Sequence, residues 1–236
     1  MNRAEFVLSA TGLERVPFVD EISLYLAADI YDVWRGTELH AGQSDLAPPF
    51  WAFAWPGGQA LARYLLDHPA LVNGRSVLDV GCGSGLVAIA AAKAGAVAVA
   101  ASDTDPFART AVQLNARANQ VTVSVVRDVL SSTHDVDVVL AGDVWYEQDL
   151  SNLVMSFLDR AADAGAEVLA GDIGRRYFPR DRFHPVASYQ VPASRALESA
   201  ETMRASVWIR SQDDETRGTT PAGPDPFAKE SDVLPT

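Results

Sequence analysis

The chain has 236 residues, of which 48% are hydrophobic and 21% charged, close to the average of globular proteins. This composition excludes a chain that is disordered, fibrous or membrane-embedded as a whole, and the length predicts one domain with a sizeable core. Acidic residues outnumber basic residues 31 to 19, and the net charge of −12 repels phosphate backbones, so we expect no nucleic-acid partner.

The first 50 residues are predicted to form an N-terminal extension, on the substrate side of a single domain that spans residues 1–210. The candidate anchors of this extension are aromatic and aliphatic residues: Phe6, Leu24, Tyr25, Leu26, Tyr31 and Trp34. The next predicted element is a helix at residues 57–67.

Beyond this helix, short β-branched runs alternate with helical patterns, as in βαβ units that build a parallel sheet. Strands are predicted at 76–80, 97–102, 121–126, 137–141 and 167–170, and helices at 86–94, 106–118 and 148–164. Residues 186–191 and 203–210 are predicted to close the sheet as an antiparallel pair, with room for a helix around Ala196 between them. The pattern indicates an α/β fold: a Rossmann-like, doubly wound, mostly parallel seven-stranded sheet with an antiparallel C-terminal hairpin. Acids, prolines and glycines crowd residues 211–236, which predicts a disordered acidic tail.

A glycine-rich loop, Leu-Asp-Val-Gly-Cys-Gly-Ser-Gly at residues 78–85, joins the first strand of this sheet to its helix. Its glycines and the acid before them are Asp79, Gly81, Gly83 and Gly85. Glycines there let the backbone turn tightly and approach a ligand closely, so the loop predicts a nucleotide-like ligand, with a plain tight turn as the alternative. The NAD fingerprint requires a glycine where this chain has Leu86. Within the loop, Cys82 is expected to serve packing rather than nucleophilic catalysis.

Three acids follow the second and third strands. Asp103 ends the second strand, where a carboxylate can accept hydrogen bonds from both ribose hydroxyls. Asp105 directly precedes Pro106 and is predicted to cap the next helix, which leaves Asp103 as the ligand. Asp128 is a candidate for the adenine amino group, and a solvated loop acid is its alternative.

After the fourth strand, the sequence Gly-Asp-Val-Trp-Tyr-Glu at residues 142–147 brings an acid and two aromatic residues to the carboxyl edge of the sheet. An aromatic face attracts a sulfonium or ammonium cation, and a carboxylate accepts hydrogen bonds from an amine nucleophile. Asp143, Trp145 and Tyr146 are therefore the candidate catalytic residues. The alternative is a lid in which the aromatic residues only pack and the acid caps a helix.

Together these motifs resemble the class I S-adenosylmethionine-dependent methyltransferases. The stretch Pro-Pro-Phe-Trp-Ala-Phe-Ala-Trp-Pro-Gly-Gly-Gln-Ala-Leu-Ala-Arg at residues 48–63, with residues 142–147, resembles the seven-β-strand lysine methyltransferases that modify the β subunit of electron transfer flavoprotein. The resemblance implies S-adenosylmethionine as cofactor and that flavoprotein subunit as partner. It also implies that Trp55 lines the cofactor pocket and that Asp143 and Tyr146 form the Asp/Glu-x-x-Tyr/Phe motif.

Two other functions remain open on the sequence alone: methylation of a small nicotinamide-like amine, and a cofactor-binding protein without catalysis. The single cysteine excludes an intramolecular disulfide, and no secretory signal or membrane-spanning run is apparent, so a cytoplasmic protein is expected. The four histidines lack paired metal-ligand spacing, so no metal is expected.

Overall fold

A computed structural model describes residues 1–127, 129–130, 135–192 and 202–211. Asp128, the segment around Ala196 and the tail from residue 212 onward lie outside the described residues, so the expectations for them stay predictions. None of the helices in the described ranges has both the length and the apolar character that a membrane crossing requires.

The described residues form six α-helices and nine β-strands. The helices are α1 (Arg3–Ala10), α2 (Ile30–Ala41), α3 (Pro56–Asp67), α4 (Leu86–Lys93), α5 (Pro106–Ala118) and α6 (Gln148–Asp163). The strands are β1 (Gly12–Val16), β2 (Val19–Leu26), β3 (Ser76–Val80), β4 (Ala98–Ser102), β5 (Ser124–Val126), β6 (Val138–Gly142), β7 (Glu167–Asp172), β8 (Phe183–Pro192) and β9 (Thr202–Arg210).

Seven strands form the main sheet in the order β5-β4-β3-β6-β7-β9-β8. The strands from β3 to β7 are parallel, β9 is antiparallel to β7, and β8 is antiparallel to β9. The predicted fold class is therefore confirmed. The chain moves outward from β3 to β5 and then returns to place β6 on the other side of β3. This return creates the switch point beside which open α/β sheets bind ligands.

Alternating side chains of the central strands supply both faces of the core. Val138 and Leu140 of β6 pack with α3 and α4 on one face, whereas Val139 and Ala141 pack against α6 on the other. Successive strand residues point to opposite faces, so a strand covered on both sides reads as a continuous apolar run. This explains why periodicity located the strands from sequence.

The N-terminal extension packs against α5 through its aromatic residues. Phe6 of α1 lies edge-on to Phe107 of α5, and Leu24 of β2 is fully buried. The expectation that Tyr31 anchors this segment is wrong, because its side chain is 75% exposed. Asp29 caps α2, and the helix turns Val33 and Thr37 inward instead, one turn apart on a face that Tyr31 does not share.

The observed strand bounds differ most from the predicted ones at two strands. The strand expected from residue 121 begins at Ser124, because the amide of Val121 still bonds the carbonyl of Ala116 at the end of α5. The strand expected at 186–191 extends to Phe183–Pro192, with Pro185 at an irregularity on the sheet edge. Proline is tolerated there because an edge strand does not need every amide.

Candidate active site

A cavity of about 260 Å³ opens at the carboxyl ends of β3, β4 and β6. The structure brings most of the predicted site residues to this one cavity: Trp55, Asp79, Gly81, Cys82, Gly83, Asp103, Asp143 and Tyr146 line it. Gly85 and Trp145 are not among its lining residues. Parallel strands that end at one edge place residues from distant parts of the chain together.

The glycine loop takes a shape that other residues would strain. Gly81 has φ 65°, and a Cβ there would lie 2.7 Å from Cγ1 of Val144. Gly85 has φ 82°, precedes α4, and leaves room for Val112, which a Cβ would approach to 3.0 Å. Gly85 therefore supports the loop from outside the cavity.

Asp79 joins the loop to the helix that follows it. Its buried carboxyl group accepts a hydrogen bond from the backbone amide of Ala88 at 3.0 Å. Burial raises the pKa of Asp79 to about 8, the nearby charge of Asp103 adds to the rise, and the Ala88 amide opposes it. Burial also raises the pKa of the Cys82 thiol, which keeps it protonated at neutral pH.

Asp103 and Asp105 have different structural roles. Asp105 accepts from the amide of Phe107 at 2.7 Å and caps α5, which confirms the predicted cap. Asp103 lines the cavity and accepts from the amides of Gly83 at 3.0 Å and Asp105 at 2.9 Å. Each carboxylate oxygen can accept a second hydrogen bond, so Asp103 retains capacity for a ligand while it holds the loop.

Three rings form an aromatic wall at the mouth of the cavity: Phe50, Trp55 and Tyr146. The ring of Phe50 lies 5.5 Å from that of Trp55 and 5.1 Å from that of Tyr146, and the indole Nε1 of Trp55 donates to the Phe50 carbonyl. Tyr146 is 46% exposed. Phe50 lies within the motif at residues 48–63, where the sequence pattern indicates no role for it.

Trp145 does not wall the cavity, which corrects its assignment as a catalytic residue. Its side chain is fully buried, with Phe178 at 4.8 Å and Phe183 at 6.1 Å between ring centroids. The two neighbours Trp145 and Tyr146 point to opposite sides of the loop after β6. Adjacent aromatic residues cannot be told apart by sequence position alone, because the direction of the loop decides which of them reaches the cavity.

Asp143 is a buried carboxylate in a left-handed backbone position, with φ 58°. Its Oδ2 accepts the amide of Gly58 at 2.6 Å, and its own amide donates to the carbonyl of Gly171 at 2.9 Å. Burial raises the pKa of Asp143, whereas the Arg175 guanidinium and the Gly58 amide oppose the rise. Asp143 is therefore held through its carboxylate by the start of α3 and through its backbone amide by the end of β7.

Glycines permit this close approach of α3 to the sheet. A Cβ on Gly57 would lie 2.5 Å from the Gly171 carbonyl oxygen and 2.7 Å from Oδ2 of Asp143. Both distances are shorter than side chains tolerate, so only glycine fits. The Pro-Gly-Gly at the start of α3 is thus part of the site.

Arg175, in the loop after β7, is a charged site residue that sequence reasoning missed. It lines the cavity, forms an ion pair with Oδ1 of Asp143, and places Nη1 3.4 Å from Oδ2 of Asp172. Its Cζ lies 5.9 Å from the centroid of the Trp55 ring. The available signal was its position just beyond a strand at the carboxyl edge, which many loop residues share.

A second cavity of about 790 Å³ adjoins the first and shares Ala47, Thr104 and Asp105 with it. Residues of the N-terminal extension, among them Arg3 and His40, line it together with the start of α5. No group of three or more His, Cys, Asp or Glu side chains that could hold a metal ion occurs in the part of the chain that is described.

Comparison with known proteins decides the family. The family model for ribosomal protein L11 methyltransferase (PrmA) matches residues 60–177. A Xenopus laevis protein named electron transfer flavoprotein beta subunit lysine methyltransferase is 36% identical over 214 residues, covering 86% of this chain and 85% of its own. The chain belongs to this family of lysine methyltransferases.

A Homo sapiens protein of the same name is 38% identical over 177 residues, which cover 70% of this chain and 68% of the human protein. A solved structure from Pyrococcus horikoshii, 20% identical, matches the fold with a TM-score of 0.50 over 75% of this chain and 94% of its own. The family predicted from residues 48–63 and 142–147 is thus confirmed.

Proposed function

We propose that this protein transfers the methyl group of S-adenosylmethionine to the side-chain amine of a protein lysine, and that the β subunit of electron transfer flavoprotein is its substrate. Relatives with this name, at 36% and 38% identity, support both the reaction and the acceptor. The structural observation that carries the proposal is Asp143, a buried carboxylate beside an aromatic wall, in the same cavity as the glycine loop.

The cavity suits the cofactor. The turn at Gly81 and Gly83 exposes loop backbone to the cavity, and Asp103 stands beside it, bonded to the Gly83 amide, where it would accept the ribose hydroxyls. The aromatic wall, and Trp55 within it, would face the sulfonium, because aromatic faces attract cations. When bound, S-adenosylmethionine supplies a methyl group on a positively charged sulfur. Contact of Asp128 with the adenine amino group remains a prediction.

At the acceptor side, the chain must receive a lysine amine and orient it. A free lysine has a pKa of about 10.4 and carries a proton at neutral pH, so the amine must lose this proton before it can attack. Entry into a partly apolar cavity favours the neutral amine, and water at the open mouth takes the proton. Asp143 would accept hydrogen bonds from the amine, while Tyr146 would line its path. Alignment at near-attack distance is then the main contribution of the protein.

A labelling experiment tests the proposal. The purified protein is incubated with radiolabelled S-adenosylmethionine and, in separate arms, with the purified β subunit of electron transfer flavoprotein and with nicotinamide. We expect label on a lysine of the β subunit, located by mass spectrometry of its peptides. Label on nicotinamide alone would establish a small-molecule methyltransferase, and cofactor binding with no label in either arm would contradict catalysis on these acceptors. A cytoplasmic location and the absence of a nucleic-acid partner remain predictions of the sequence.

A further inference from the structure

We propose that Arg175 is a positioning residue for the acceptor amine: it joins Asp143 and Asp172 into one charged group that holds Asp143 in place and favours a basic acceptor. The inference rests on the proposed function, since it concerns the amine that Asp143 receives. We call Asp143, Asp172 and Arg175 together the acidic clamp.

The clamp is fixed from two sides. Asp172 has its side chain fully buried, and its Oδ1 accepts the amides of Gly174 at 2.6 Å and of Arg175 itself at 2.7 Å. This turn sets the backbone of Arg175, whose Nη1 then contacts both carboxylates. Asp143 is held on its other oxygen by the amide of Gly58. The carboxylate plane of Asp143 therefore cannot rotate freely toward the cavity.

The charges in the clamp do not balance. Two carboxylates and one guanidinium leave one net negative charge when all three groups are ionised. Arg175 and Asp143 line the cavity, and Asp172 is buried close behind them. A negative charge in a partly buried site attracts a lysine ammonium as it approaches, before the amine loses its proton inside the cavity, and gives no such advantage to an acceptor that is neutral in solution. The guanidinium at the same time opposes the protonation of Asp143 that burial promotes.

A purely structural role for Arg175 makes a different prediction. If Arg175 only anchors the loop after β7, its loss reduces stability and activity without changing the pH at which activity appears. If Arg175 acts through Asp143, loss of Arg175 and loss of Asp172 must shift the pH at which activity appears in opposite directions. Loss of the guanidinium removes a positive charge, and loss of the Asp172 carboxylate removes a negative one.

Other titratable groups lie near Asp143 or line the same cavity. Asp172 ends β7 and Arg175 lies on the loop after it, while Tyr146 and Glu147 lie on the loop after β6. Asp79, Asp103, Asp105 and Arg127 line the same cavity. All of these except the mutated residue are unchanged in each variant, so the difference between variants isolates one charge. The pKa of the bound amine moves in the same direction as that of Asp143, so the acid limb belongs to the pair.

The test compares wild type with Arg175→Gln, Arg175→Lys and Asp172→Asn, and uses Arg63→Gln as the matched control. Arg63 also bridges two carboxylates, Glu21 and Asp67, but it does not line the cavity. The acid limb of kcat for methylation of the flavoprotein β subunit is measured, with KM. In parallel, the carboxyl carbon of Asp143 is titrated by NMR, and cofactor affinity is measured by calorimetry.

We expect Arg175→Gln to lower kcat at pH 7 about tenfold or more and to move the acid limb and the Asp143 titration upward by about one to three units. Asp172→Asn should move both downward and raise KM for the basic acceptor. Arg175→Lys should restore the position of the limb, and Arg63→Gln should change neither quantity.

An unchanged Asp143 titration in Arg175→Gln and Asp172→Asn would overturn the inference. A loss of cofactor affinity in Arg175→Gln with an unmoved limb would also overturn it and would make Arg175 a cofactor ligand. If Arg175→Gln does not fold, Asp172→Asn and Arg175→Lys still decide the result. Wild type that labels no protein would refute the proposed function alone, because the NMR titration needs no substrate.

Discussion

Replacement of Asp103 by alanine separates a ligand role from a capping role within one short segment. In the proposed complex, Asp103 would accept two ribose hydroxyls, and each such bond to a charged group contributes about 1.5 to 3 kcal/mol. In the variant, water accepts part of the hydrogen bonding of the two hydroxyls, so the net loss of binding free energy is about 2 to 4 kcal/mol. The dissociation constant for S-adenosylmethionine should therefore rise about thirtyfold to a thousandfold.

The structure places the expected value in the upper part of this range. Asp103 also accepts the amides of Gly83 and Asp105, so its loss releases the glycine loop as well as the ligand. Asp103→Asn keeps one carbonyl oxygen and should give an intermediate loss of affinity. Calorimetric titration with the cofactor and with its demethylated product measures both variants.

Asp105→Ala is the matched control, two residues away. It removes the cap of α5, which costs about 1 kcal/mol of stability and lowers the melting temperature by about 2 to 4 °C. Cofactor affinity should change only a fewfold. If Asp103→Ala binds normally while a folded Asp105→Ala loses affinity, the assignment of ligand and cap is reversed and the reasoning is refuted.

Four further substitutions test other parts of the site. Gly57→Ala should lower the melting temperature and the turnover together, because its Cβ would lie 2.5 Å from a backbone oxygen of β7 and overpacking of this kind costs about 1 to 3 kcal/mol. The control is Gly12→Ala, whose Cβ would meet only a flexible side chain at 3.6 Å, so its melting temperature should equal that of wild type. Asp79 has a pKa of about 8 in the folded protein, against an ordinary value of 3.8. Between these pH values the folded state binds one more proton than the unfolded state, so the free energy of unfolding falls as pH rises, by at most about 1.4 kcal/mol per pH unit. From pH 5 to 9 the melting temperature should therefore decline less steeply in Asp79→Asn than in wild type, and equal slopes would contradict this assignment. Asp143→Asn keeps the size of the side chain but loses its charge, so single-turnover methylation should slow about a hundredfold, or about 2.7 kcal/mol, with a much smaller change in cofactor affinity. Tyr146→Phe should lose less activity, because its ring still packs on the ring of Phe50. Full activity of Asp143→Asn would contradict the role of Asp143 at the acceptor.

The alternation of apolar runs and helical patterns was enough to predict the order of strands and helices in the main sheet from β3 onward, whereas α1, β1, β2 and α2 of the N-terminal extension were not predicted. Each strand buried on both faces leaves a continuous apolar run, and each helix against the sheet leaves a stripe, so these signals are local. The predicted starts of β5 and β8 were less accurate, because the hydrogen-bonding groups of a neighbouring element decide where a strand begins. The cap at Asp105 was predictable because proline at the next position marks a helix start.

The site was predictable to the extent that its residues lie directly after strands. Asp79, Asp103 and Asp143 each lie at the end of a parallel strand or directly after it, and parallel strands bring their carboxyl ends to one edge. Trp145 and Tyr146 were not separable, because the loop after β6 sends one ring into the core and the other to the cavity. The sequence holds no periodic signal for such a loop.

By itself, the sequence determined the fold class, the family and the edge of the sheet that carries the candidate site, because these follow from periodicity and from motifs of adjacent residues. Only the tertiary structure decided that Arg175 pairs with Asp143 and that Gly57 lies against Gly171. These contacts join segments 32 and 114 residues apart, as the residue numbers show. Their formation depends on how α3 and the loop after β7 cross the sheet, and no local pattern encodes that crossing.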